Sequence, residues 1–110
     1  MNEPNQHEPS VAQKEMGDIA PALAGYTDDV LFGDVWKRTA ITPKERSIAT
    51  VAALTTMGNP DQLAFHLDYA RQNGATEEEL VEVLTHLAFY AGWPKAVAAM
   101  NVAKRVFGGQ

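Results

Sequence analysis

The stretch TPKERSIATVAALTTMGNPDQLAFHLDYARQN, residues 42–73, decides the fold. Thr42-Pro43-Lys44-Glu45 carries a hydroxyl at the N-cap, proline at the first helical position and Glu at the third. In that order the Thr oxygen and the Glu carboxylate each accept a backbone N–H that the helix itself leaves without a partner. Ile48, Val51, Ala52 and Thr55 then share one face, and Gly58 can turn the chain left-handed. Asn59-Pro60-Asp61-Gln62 repeats the start signal, so a second helix is expected at once. It places Leu63, His66, Leu67 and Ala70 at i, i+3, i+4 and i+7, setting an imidazole in an apolar stripe. A titratable group aimed at a core requires an explanation.

Working outward, Asn73-Gly74 ends the second helix, and Thr76-Glu77-Glu78-Glu79 opens a third with another capping box. Leu80, Val83, Leu84, Leu87 and Ala91 make its core stripe, and Gly92 breaks it before Pro94. Ala96, Val97, Met100, Ala103 and Phe107 recur at helical spacing to Gly108-Gly109. Toward the N-terminus, Thr27-Asp28-Asp29 places two acids where a helix dipole favours them, Lys37-Arg38 closes that element, and Asp18 can cap a short helix through Leu23. No segment alternates with period two. The expectation is an all-α chain of five to six helices: a mobile arm over 1–17 and one helical domain over 18–110.

Composition narrows the function. The chain is 45% hydrophobic and 21% charged with a net charge of −5, and its Lys and Arg are scattered, which argues against nucleic acid as a partner. It has no cysteine, which excludes disulfides, thiol nucleophiles and thiolate-built metal sites. No run reaches the roughly 18 apolar residues a membrane span needs, and the N-terminal stretch lacks a signal-peptide pattern, so a cytoplasmic protein is expected. Trp36, Phe89, Tyr90 and Trp93 supply more apolar area than one small protomer readily buries. The slim Ala96–Ala99 run also lets a neighbour approach, so a homo-oligomer is expected. Met57 and Met100 read as core filling.

Several blocks, with their order and spacing, resemble the carboxymuconolactone decarboxylase family. They are Leu31-Phe32-Gly33-Asp34-Val35-Trp36, Glu45-Arg46-Ser47 leading a Val-Ala-Ala helix, Phe65-His66-Leu67, Asn73-Gly74, and His86-Leu87-Ala88-Phe89-Tyr90-Ala91-Gly92-Trp93-Pro94. The resemblance runs from about Met16 to Phe107. It implies a helical fold shared with AhpD-like alkylhydroperoxidases, assembly as a trimer or hexamer, and cofactor-free decarboxylation of a small lactone acid in aromatic catabolism. The peroxidase branch needs a Cys-x-x-Cys pair between its Glu and its His; the interval Met57 to Phe65 has none, so thiol peroxidase chemistry is excluded.

The implied reaction needs hydrogen-bond donors where charge develops, an acid to protonate the dienolate, a dry pocket, and a cation for the carboxylate that remains. No metal or organic cofactor is called for. His66 is the candidate donor or proton carrier, since imidazole titrates near neutrality; its plainer reading is a half-buried ring satisfied by a carbonyl. Glu45 is the candidate partner, although the capping box already accounts for it. If the two meet, the carboxylate favours the protonated ring. His86, Tyr90 and Trp93 can wall a flat pocket, or merely pair with Glu82 and fill the core. Arg46 and Arg38 can clamp an anionic substrate, or face solvent. Related isomerase or hydrolase chemistry, and a non-catalytic binding or assembly role, remain the alternatives.

Overall fold

The structure is a computed structural model and describes residues 9–109. The chain divides into two units, the first ending at Ala40 and the second beginning at Ile41. Every regular element among the described residues is helical, so the all-α expectation holds.

In the first unit, α1 (Val11–Met16) is capped by Ser10, whose Oγ accepts from Gln13 N–H and donates to Asp28 at 2.8 Å. That helix lies in the segment read as an arm, of which residues 1–8 are outside the described residues. Asp18 does not cap the next helix. Instead α2 (Pro21–Tyr26) starts on proline at its first turn, with Ala20 as N-cap. The chain continues without a break into a π-helical segment, Thr27–Phe32, closed by Gly33. A 3₁₀ turn, Val35–Lys37, then ends at Arg38.

The second unit contains α3 (Pro43–Met57), α4 (Pro60–Gln72), α5 (Glu77–Leu87) and α6 (Trp93–Phe107). Both expected capping boxes form. Glu45 N–H donates to Thr42 Oγ1 at 3.0 Å while Thr42 N–H donates to Glu45 Oε1 at 2.7 Å, and Thr76 and Glu79 repeat the exchange. Lys44 on α3 pairs with Glu79 on α5 at 2.9 Å, so the two capped ends stand side by side. Gly58 closes α3 at φ +76°, a conformation that puts a side chain under strain, and its N–H donates to Leu54 and Thr55 carbonyls. The α4 start differs from the expectation: Pro60 occupies the first turn, but the Asn59 side chain makes no capping bond.

Helix α4 packs against α3 and α6, and α5 packs against α3 and α6. The shared core is aliphatic: Val51, Leu63, Leu67, Ala70, Leu80, Leu84, Ala99, Val102 and Ala103. The small residues of α6 allow that close packing. Met57 is exposed, contrary to its reading as core filling, because it stands at the last position of α3 beside the turn; Met100 packs partly against the core. Two polar links tie helix ends together. Asn73 Nδ2, at the end of α4, donates to the buried Ser47 Oγ at 2.9 Å, and Arg71 lies 5.1 Å over the Phe107 ring.

Candidate active site

Leu63, Leu67 and Ala70 take the buried side of α4, and His66 stands on the flank of that stripe, half-buried. Its ring sits edge-on to Phe65 at 4.9 Å and to Tyr69 at 6.1 Å, so flat apolar faces line it on its own helix. Burial disfavours the charged imidazolium and lowers the His66 pKa from the ordinary value of 6.5. That direction is opposite to the one a neighbouring carboxylate would impose.

Glu45 is exposed at the head of α3. Hydrogen bonds from the Thr42 backbone and side chain hold its carboxyl below the usual range. Arg46, the next residue, is half-buried, and its carbonyl accepts from Thr50 Oγ1 at 2.8 Å. Arg38 is exposed and caps the 3₁₀ turn of the first unit.

His86, Tyr90 and Trp93 cluster at the α5–α6 junction. His86 and Tyr90 are one helical turn apart, with ring centroids 4.8 Å apart, and Phe89 meets Trp93 edge-on at 5.2 Å. His86 therefore pairs with a ring, where the sequence also allowed a Glu82 pair. The aromatic group is open: Phe89 is 73%, Tyr90 77% and Trp93 59% exposed. Beneath it lies a cleft of about 300 Å³ with Leu84, Ala88, Phe89, Trp93, Val97 and Met100 among its lining residues. A second cleft, of about 170 Å³, opens between the α3–α4 turn and α6. His66 lines neither cleft.

Sequence reasoning passed over two polar groups in the smaller cleft. Thr55 appeared only as part of a packing face, and Lys95 did not stand out. A threonine in an otherwise aliphatic stripe was the available signal for the first.

Four helices around one aliphatic cluster, preceded by a shorter helical unit, define a small all-α protein. Residues 21–105 match the carboxymuconolactone decarboxylase family, and the chain belongs to it. It is 34% identical over 94 residues to a 4-carboxymuconolactone decarboxylase of Acinetobacter baylyi, covering 86% of this chain and 70% of the relative. It is also 34% identical over 74 residues to the nitrosuccinic acid decarboxylase of Metarhizium robertsii, covering 67% of this chain and 52% of that protein. Both relatives are decarboxylases, which places this chain with the decarboxylase-type lyases.

Proposed function

We propose that the protein removes CO2 from a small organic diacid without a cofactor, and that it does so as a homo-oligomer. The supporting observation is that two relatives named for different acids share one reaction type. Their substrates have a chemical common factor. In 4-carboxymuconolactone the electron pair left by CO2 can pass through the ring double bond to the lactone carbonyl. In nitrosuccinic acid a nitro group stands beside one carboxyl. Each substrate brings its own electron sink, and each keeps a second carboxylate after the loss.

On this reading His66 is the proton carrier. As a neutral ring it donates through one nitrogen and accepts through the other. A bound anion raises its pKa again, so that it takes up a proton and delivers it to the carbanion that CO2 leaves behind. Glu45 orients that ring while keeping its place in the cap, and the charge on the ring comes with the bound anion. Arg46 supplies a cation for the retained carboxylate; His86, Tyr90 and Trp93 supply the wall.

His66 lines neither of the two clefts described above, and the aromatic group at the α5–α6 junction is exposed. A second copy seated on that surface would bury the aromatics and enclose the site. Trp93→Glu is expected to shift the sedimenting species of the purified protein toward monomer. An unchanged assembly size would remove this interface from the reading.

The reaction is tested by incubating the protein with 4-carboxymuconolactone and, separately, with nitrosuccinate, and following CO2 release. Release above the blank for at least one acid is expected; blank rates for both would overturn the proposal. Glu45→Gln distinguishes charge from structure, since glutamine also completes a capping box. Loss of activity at unchanged melting temperature assigns the carboxylate a chemical part.

A further inference from the structure

We infer that the cleft between the α3–α4 turn and α6 is a binding site for a small ring-bearing carboxylate. The inference stands apart from the decarboxylase reading, because none of the residues given a chemical part there lines this cleft.

Its walls are aliphatic, with Leu54, Leu63, Ala99 and Val102 among them. An engineered apolar cavity of about 150 Å³ holds benzene, so a space of about 170 Å³ admits a six-membered ring. Thr55, Asn59 and Lys95 are the polar residues of this lining, and the first and last of them bear on a ligand. Thr55 is 2% exposed, and its Oγ1 is closed off from solvent with no hydrogen-bond partner. Helical threonines ordinarily return that hydroxyl to the carbonyl four residues back. Thr50, Thr56 and Thr85 all do so here, each at 2.8 Å. Thr55 forgoes the bond, although a buried hydroxyl without one is costly. Threonine has two accessible χ1 wells in a helix, so the hydroxyl can turn to meet a ligand.

The second group is Lys95. An ideal Cβ placed on Gly58 would come within 3.2 Å of its Nζ, so the ammonium lies against the end of α3. The negative end of the α3 dipole accounts for a cation resting there; it does not account for the hydroxyl. Thr55, Gly58 and Lys95 line the same cleft, the first one turn before the end of α3 and the other two at that end. One carboxylate can accept from Lys95 with one oxygen and from Thr55 with the other while its ring enters the aliphatic walls. A cation, an unsatisfied donor and a ring-sized apolar space thus converge on one ligand chemistry.

The probe is benzoate, with benzamide as its neutral counterpart, titrated at millimolar concentration into the full-length, isotope-labelled protein. Benzoate is expected to move the amide signals of Thr55, Gly58 and Lys95, and benzamide to bind more weakly. Lys95→Gln, at an exposed position, is expected to weaken benzoate roughly three- to tenfold and leave benzamide unchanged. Thr55→Val removes the hydroxyl at constant shape. It is expected to raise the melting temperature of the free protein while weakening benzoate, a pair of effects that a merely structural threonine would not give. Any of the following overturns the site: no shifts with benzoate, shifts confined to residues outside the cleft, equal binding of the two probes, unchanged affinity in both variants, or a lower melting temperature for Thr55→Val.

Discussion

Leu67→Ala is expected to lower the stability of the folded protein by about 3 kcal/mol, within the range for a leucine truncated in a core. Leu67 is fully buried on the face of α4 that packs against α3 and α6, and it belongs to the one aliphatic cluster those helices share with α5. Its loss removes methyl groups from contact and leaves a void that three helices must close together. Domains of this size are held by about 5–15 kcal/mol, and each kcal/mol moves the melting temperature by about 4–8 °C. A fall of roughly 12–24 °C should therefore appear in a thermal melt. Leu67→Met, which nearly conserves volume, is expected to cost under about 1.5 kcal/mol. If the two variants melt alike, the α4 stripe is not the centre of the core. Met57→Ala, at an exposed helix end, should do almost nothing.

The parts of this architecture that sequence discloses are those governed by local chemistry. The boxes at Thr42 and Thr76 are satisfied within four residues each, and Gly58 announces a left-handed turn wherever it is placed. The Leu63–Leu67–Ala70 and Leu80–Leu84 stripes follow from helical period alone. What stays hidden is which of several competing local signals wins, and what forms only when distant elements meet. Asp18 looks like a cap, but Pro21 and Ala20 set the start of α2, and its run-on into a π-helical turn has no pattern of its own. Asn59 has a capping side chain and makes no capping bond. The small residues of α6 were legible as a close-packing face, whereas the cleft they leave beside Thr55 exists only once α3, α4 and α6 are assembled. For the candidate chemistry, sequence identified His66 and Glu45 as residues worth examining. It could not supply the direction in which burial moves the imidazole.

His66→Gln is expected to lower kcat for the acid that the protein decarboxylates by about 10²–10⁴-fold, the usual worth of a positioned acid–base group. The change in KM should be small, because glutamine keeps an N–H donor and much of the ring's bulk while losing the ability to titrate. The same variant reports on the free protein without any substrate. Burial depresses the His66 pKa in the folded chain below the ordinary value of 6.5. Between the two values the unfolded chain binds more protons, so stability rises with pH there. The contribution is fully present above the unfolded pKa and is lost as pH falls through the folded one. The wild type should therefore gain on His66→Gln in urea midpoint as the pH is raised from about 5 to about 8, the span in which histidine titrates. Substrate acts in the opposite sense: an anion held beside the ring favours the imidazolium, so the pH profile of kcat should report a higher pKa than that of kcat/KM. A pH-independent stability difference would mean that the ring is as well solvated folded as unfolded. A proton carrier kept neutral until an anion arrives could not then be assigned to position 66, even if the variant were inactive.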